Sequence, residues 1–416
     1  MRVSKERLSV IGRLIGIYRE ERRDNTQNEY TQKRFCDGIC SPNTLKSIEA
    51  GGLSRSEDIY IELLDKLGLK YGEFPAIDEA IDELMVKLYE AIEYYDEDKI
   101  LEITNKGIRL LKSVNNYVVY SETYSIFHSV YSYYFKDSLI NDRDLIHYNF
   151  ILYAIPNQFQ SVLKILIFSK LKLESMNDKC NYKKLVERLN IENDEFICLK
   201  INLLHFYFIM GNYLTMIELI IQLENYFIKT NNNVRLLDTY NYAVVLLSYI
   251  DDQKKITFIE KAKRLLHKHE FTDLKKCEAY SNIASAFYKS GDYENALKYY
   301  QQAILYHSYE VLTKLILIAD CQRRLGLPIN IKQVEESEII NYSMNIRMMY
   351  KYFTLDKLDV PDFVKQNYIM KKILPDLNDE IFISIFRNEL STLVERTNHY
   401  KDVHIYEKRV RENTLG

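Results

Sequence analysis

Ala279-Tyr-Ser-Asn-Ile-Ala-Ser-Ala-Phe-Tyr-Lys-Ser-Gly-Asp-Tyr-Glu-Asn-Ala-Leu-Lys-Tyr-Tyr-Gln-Gln-Ala303 decides the fold. Apolar residues recur at helical spacing on both sides of Gly291-Asp292: Tyr280, Ile283, Ala284 and Phe287 before it, Tyr293, Ala296, Tyr300 and Ala303 after it. The Gly-Asp pair interrupts that period and supplies a turn. Small side chains at 284, 296 and 303 allow two helices to approach closely, and the rings fill the groove between them. The stretch reads as an antiparallel helix pair. Weaker copies occupy Ile201–Leu223, turning at Gly211-Asn212-Tyr213, and Asp238–Leu265, turning at Asp251-Asp252. Helix pairs are also predicted over 78–113, 117–136, 145–190, 310–335 and 338–412.

The 279–303 positions resemble a tetratricopeptide (TPR) repeat, a unit of ~34 residues that stacks into a solenoid. Composition agrees with helices throughout. The 416-residue chain has only 12 Gly and 6 Pro, too few for a turn-rich all-β protein or a glycine-loop nucleotide enzyme. Apolar residues at 47% and charged residues at 28% describe a folded chain. Its length exceeds what one core usually serves. Arg2, Lys5, Glu6 and Arg7 stand where a signal peptide would be apolar, and no run reaches the ~20 apolar residues of a membrane span. Six scattered cysteines with no C-x-x-C pair read as reduced thiols. A cytoplasmic protein with no membrane association is expected.

Charge and glycine divide the chain near residue 75. Residues 1–55 hold 11 Lys+Arg against 7 Asp+Glu, while the whole chain is at −3. Seven of the 12 glycines lie before residue 73. The expected domains are therefore a small basic unit over 1–72, a linker at 73–79 closed by Pro75, and a long helical domain over 80–416. The front unit reads as four or five short helices. Ile11, Leu14, Ile15 and Tyr18 form the buried face of the first; Thr31 caps the second. In the third, Ser41 is the N-cap, Pro42 the first helical position, and Gly51 follows the end. Leu45 and Ile48 turn inward, leaving Asn43, Thr44, Lys46 and Ser47 outside. That outer face suits a DNA major groove, where Asn pairs with adenine edges and Lys with guanine or phosphate.

Thr31-Gln-Lys-Arg-Phe-Cys-Asp-Gly-Ile-Cys-Ser-Pro-Asn-Thr-Leu-Lys-Ser-Ile-Glu-Ala-Gly51 resembles the helix-turn-helix of the phage-repressor-like (XRE) family. Ile11-Gly12-x-x-Ile15-x-x-Tyr18-Arg19 resembles that family's first helix, and the spacing is closest to the PlcR-like branch. The resemblance covers roughly residues 10–70. It implies that Gln32 binds phosphate at a helix start, that Pro42, Asn43 and Ser47 take base-facing positions, with Lys33, Thr44 and Lys46 beside them, and that Arg19 and Glu49 form a structural salt bridge. Pro42 departs from the family's frequent polar residue. The segment between Arg19 and Thr31 is about six residues longer than in the family, which predicts a protruding loop.

A second regularity concerns the helix pairs. With 279–303 as the ruler, Asn282 sits early in a first helix, and Asn241 and Asn202 take equivalent places 41 and 39 residues earlier. An Asn amide both donates and accepts, so it can hold a peptide unit whatever the ligand's side chains are. Neighbouring helices lie roughly 8–10 Å apart, so three such Asn would span on the order of six residues of extended peptide. His205, Glu278 and Ser285 share those faces with Cys198, Leu237 and Val244. Tyr240, with Tyr249, Phe208 and Tyr288, would supply aromatic pockets.

No catalytic motif stands out: the chain has no G-x-x-x-x-G-K-[ST], H-E-x-x-H or G-x-S-x-G. His267 and His269 fall on opposing sides of a predicted helix, unsuited to one metal. No enzyme activity, metal or cofactor is expected. An all-α chain with a small helix-turn-helix domain before a right-handed TPR-like solenoid resembles the RRNPP group of cytosolic peptide-pheromone receptors. The resemblance implies a quorum-sensing homodimer on palindromic double-stranded DNA, controlled by a short linear peptide in the solenoid concavity. Ile381, Ile383, Ile385 and Phe386 are candidate dimer contacts. Two other readings stay open: a TPR interaction scaffold, and a Rap-like response-regulator inhibitor or phosphatase.

Overall fold

The computed structural model describes residues 3–23, 29–136, 138–174, 179–306, 310–355, 360–377, 379–398, 400 and 404. The chain is all-helical and forms two compact units, Met1–Thr239 and Tyr240–Gly416. Among the described residues the sole β-type pairing is an isolated bridge between Lys70 and Tyr117, and no helix is long and apolar enough to cross a membrane.

The first unit begins with α1 (Lys5–Arg23), α2 (Gln32–Phe35), α3 (Pro42–Glu49) and α4 (Asp58–Lys66). Ile11, Leu14 and Ile15 of α1 are fully buried, as are Leu45 and Ile48 of α3. Two glycines let α1 and α3 cross backbone to backbone. A Cβ on Gly12 would stand 2.3 Å from the Ile48 carbonyl oxygen, and one on Gly16 would stand 3.0 Å from the Glu49 Cβ. Helix α1 carries on to Arg23, so the front unit opens on a long helix; the 24–28 part of the expected loop lies outside the described residues.

Behind them follow α5 (Pro75–Tyr94), α6 (Glu97–Leu111), α7 (Val118–Phe135), α8 (Asp142–Ile151), α9 (Gln160–Glu174), α10 (Lys179–Leu189), α11 (Ile201–Ile209) and α12 (Tyr213–Lys229). Tyr95, at φ +54°, ends α5, and Asp96 caps α6 by accepting from the Lys99 amide at 3.1 Å. Gly107 lets α6 lie on the Phe127 ring of α7. Helix α13 (Asn233–Leu247) closes this unit and opens the next.

The division differs from the one expected near residue 75. Pro75 starts α5, so 75–79 are helix, and the residues just before it are pinned: the Lys70 amide donates to Asn116 and the Phe74 amide to the Tyr120 hydroxyl. Ser4 donates to Glu73, and Arg7 pairs with Asp78. Tyr18 is half-buried and turned toward α7, where its hydroxyl donates to Glu122. Ion pairs and hydrogen bonds thus seat the front helices on α5, α7 and α8, and 1–72 is part of a larger unit.

The second unit continues with α14 (Asp252–Lys268), α15 (Asp273–Lys289), α16 (Tyr293–Tyr306), α17 (Val311–Arg324), α18 (Glu336–Ile339), α19 (Met344–Leu355), α20 (Asp362–Tyr368) and α21 (Glu380–Thr397). Ala284, Ala296 and Ala303 are fully buried between α15 and α16, and Gly291 turns the pair at φ +78°. Glycine is needed there because side-chain-bearing residues rarely adopt that conformation. A polar knot holds α15, α17, α19 and α21 together. Buried Asp320 accepts from Tyr288 and pairs with Arg323 and Arg324, Arg323 pairs with Glu389, and Tyr352 donates to Glu389. Ile385 and Phe386 belong to this interior, with the Phe386 ring 5.5 Å from that of Tyr352. They are core residues and cannot serve as dimer contacts while the unit is folded.

Candidate functional site

Helix α3 is built to be held from behind and open in front. The Ser41 hydroxyl accepts from the Thr44 amide at 3.1 Å, Pro42 fills the first position where no N–H is needed, and Gly51 at φ +85° ends the helix. Pro42, Asn43, Lys46 and Ser47 are exposed, and Thr44 is half-buried with its hydroxyl 2.8 Å from that of Ser41. Among the described residues, neither the Asn43 nor the Lys46 side chain has a hydrogen-bond or ion-pair partner. Lys33 and Arg34 of α2 are exposed nearby in sequence.

Behind α3, Arg19 is 2% exposed. Its Nε donates to Glu49 Oε1 at 2.5 Å, its Nη2 to Glu49 Oε2 at 3.1 Å and to Glu20 at 2.7 Å, and its Nη1 to the Tyr30 carbonyl at 2.9 Å. Burial alone would lower the Arg19 pKa, but the bonds and charge of Glu49 raise it, so the guanidinium stays charged. Gln32 donates to Glu49 at 3.2 Å. Its amide joins this brace, which ties it to the protein and away from the phosphate role expected of it.

The three Asn all lie on first helices of their pairs. In the first unit Asn202 is half-buried on α11. One turn on, the His205 ring lies 6.4 Å from that of Tyr182, and burial, helped by Lys172, pushes its pKa down to about 4. A neutral imidazole at pH 7 can donate and accept. Cys198 is pushed up to about 12 by burial and stays a thiol.

In the second unit Asn241 is buried, and its Oδ1 has no hydrogen-bond partner. An unmade bond of that kind is costly unless something supplies a donor. Tyr240 is buried against Phe258, their rings 5.8 Å apart. Asn282 on α15 is half-buried and makes no side-chain hydrogen bond. Glu278 pairs with Lys275 at 3.1 Å. The Ser285 hydroxyl lies 2.9 Å from that of Tyr300 in α16, and Tyr288 donates to Asp320. Both hydroxyls are thus engaged inside the helix stack, whereas the Asn282 amide is half-exposed and the Asn241 Oδ1 is buried.

Residues 277–307 match the tetratricopeptide repeat family. No curated protein and no solved structure matches the chain. The tetratricopeptide repeat spans α15 and α16, so Asn282, Glu278 and Ser285 all stand on its first helix.

Two features carried no sequence signal. His147 of α8 lies between Glu21, at 2.6 Å, and Glu122, at 2.8 Å. Burial alone would lower its pKa; the two carboxylates raise it to about 10, making it a cationic clamp between α1 and α7. A 730 Å³ cleft in the same unit is lined by Arg7, Arg13, Glu73, Asp78 and Tyr120, among others, and the Arg13 Nε is buried there without a partner. These groups are up to 126 residues apart in sequence and meet only through packing.

Proposed function

We propose that this chain is a cytoplasmic transcriptional regulator that binds double-stranded DNA through α3 as a homodimer, and whose affinity for DNA is set by a short linear peptide held by the Asn-bearing helices of a right-handed TPR-like solenoid. The observation that carries the reading is the outer face of α3, where Asn43 and Lys46 point into solvent with no partner while Arg19 and Glu49 brace the helix from behind. A helix with unsatisfied donors and acceptors outside and a fixed seat inside suits base-edge recognition. Asn43 would pair with adenine, Lys46 with guanine or phosphate, and Lys33 with the backbone. A palindromic operator then requires two such helices about one DNA turn, ~34 Å, or a multiple apart.

The peptide half of the reading rests on the unpaired Asn241 Oδ1, the open Asn282 amide and the repeat match over 277–307. To act as a switch, the peptide must bind one state of the chain more tightly than another, and that difference in free energy is all it can pass to the DNA.

The test is fluorescence anisotropy with the duplex upstream of the chain's own gene. Asn43→Ala with Lys46→Ala should weaken binding at least tenfold, because one good base contact is worth about 1–3 kcal/mol. Unchanged affinity rejects α3 as the reading helix. A second reading, a protein-interaction scaffold, is favoured by the tetratricopeptide repeat itself. Co-purification of one stoichiometric protein partner together with indifference to DNA would select it.

A further inference from the structure

A cleft of 440 Å³ lies where the end of α14 meets α15 and α16. Its charge is lopsided: Lys263, Lys268, Lys276 and Lys298 line it, against one acid, Glu270. Lys263 is paired with Glu260 at 2.8 Å, and Lys276 with the almost fully exposed Glu270 at 3.6 Å, a pair that solvent weakens. Among the described residues, Lys268 and Lys298 have no ion-pair partner. Lys276 also sits in the first turn of a 17-residue helix, where the helix dipole is already positive and a cation is unfavourable. An anion in the cleft relieves both.

Beside the lysines runs a ladder of parallel rings. Phe287 and Tyr299 are inclined by 4° with centroids 5.7 Å apart. Tyr299 and Tyr280 follow at 14° and 6.2 Å, then Tyr280 and Tyr306 at 14° and 5.6 Å. Tyr280, Tyr299 and Tyr306 all line the cleft; Tyr299 is buried, while Phe287, Tyr280 and Tyr306 are half-buried. Tyr306 is half-buried, and Lys276 Nζ lies 5.4 Å from its ring centroid. A planar ring adds to such a ladder as one more step, with its charged substituent over the lysines.

His267 and His269 border the same cleft. The helix ends at Lys268, and His269 is extended, at φ −129° and ψ 151°, so the two rings are not on opposing helix faces as the sequence suggests. Tyr280 and Asn282 are two positions apart, about 200° around α15, which places this cleft on the side away from the Asn282 amide.

We propose that this cleft binds a nucleoside phosphate, with its base stacked on the tyrosine ladder and its phosphate held by Lys268, Lys276 and Lys298. The site is separate from the peptide and operator surfaces and does not depend on either assignment. Aromatic stacking combined with a basic rim is also how single-stranded nucleic acid is held, so the ligand is a free nucleotide or one nucleotide of a strand.

Isothermal titration of the full-length protein with AMP, ADP, adenosine, inorganic phosphate and a ten-residue oligodeoxyadenylate tests the proposal. AMP or ADP should bind saturably and at least tenfold tighter than adenosine or phosphate. Lys276→Gln with Lys298→Gln should weaken that binding at least tenfold with the circular dichroism spectrum unchanged, and Tyr306→Leu should weaken it while leaving phosphate binding as it was. Tighter binding of the oligonucleotide than of AMP, lost in the same variants, identifies the strand as the source. No saturable binding of any nucleotide, equal binding of phosphate and ADP, or binding indifferent to the lysine variant overturns the proposal.

Discussion

Replacing Glu49 by Gln keeps the shape of the side chain and removes its charge, so the contact of Gly16 with the Glu49 Cβ is untouched and only the brace behind α3 changes. Arg19, 2% exposed, then keeps the Tyr30 carbonyl and the half-exposed Glu20 but loses its buried anion. Breaking a buried pair on one side costs about 3–5 kcal/mol. The two surviving acceptors put Glu49→Gln at the low end, about 3 kcal/mol, which corresponds to about two decades in a local opening equilibrium. Hydrogen exchange followed by mass spectrometry reads this directly in a peptide covering 42–52, whose amides include those of Leu45, Gly51 and Gly52. Those amides should exchange roughly a hundredfold faster, with α15 and α16 unchanged. The double variant Arg19→Met/Glu49→Leu should restore much of the protection, because an apolar pair of similar volume has no stranded charge. Acceleration of less than about threefold in Glu49→Gln would refute the claim that this pair holds α3.

Three further outcomes follow from the packing. Gly12→Val places side-chain atoms against the Ile48 carbonyl and should lower stability by about 1–3 kcal/mol in thermal melts; a melt within a degree of wild type would mean that α1 and α3 are not in close contact. His147 has a folded pKa of about 10, above its ordinary value, so its contribution is complete below pH 6.5 and is lost as pH rises toward 10. The melting temperature should fall over that window, and fall less in His147→Gln; equal slopes would remove the clamp from the account. Asn241→Leu removes a buried acceptor that lacks a partner, so the ligand-free protein should melt no lower than wild type, while peptide affinity should drop by about 1–3 kcal/mol. A destabilised variant with full peptide affinity contradicts that assignment.

The tetratricopeptide repeat was legible because its signals are local. Ala284, Ala296 and Ala303 mark the close approach, and Gly291 marks a turn that needs a positive φ. Ser41, Pro42 and Gly51 likewise mark the two ends of α3 within ten residues. The unit boundary was not legible, because what moves it is long-range. Arg7 with Asp78, Tyr18 with Glu122 and His147 with Glu21 join residues 71 to 126 positions apart, and nothing local to either partner points to the other. The basic cleft was hidden for a related reason. Lys263, Lys276 and Lys298 come from three helices, each with an ordinary charge pattern, and only their packing gathers them. Ser285 and Tyr288 were chosen by helical spacing, which tells which face a residue occupies but not that Tyr300 and Asp320 already meet it there.

Control of DNA affinity by a peptide is the central claim, and one titration tests it. Anisotropy of a labelled duplex from upstream of the chain's own gene is measured against the full-length protein, with and without the short peptides encoded beside that gene. One peptide should shift the dissociation constant at least fivefold, and the shift should disappear in Asn241→Leu while basal DNA binding persists. Saturable DNA binding that no peptide alters, or a shift that survives Asn241→Leu undiminished, would contradict that claim.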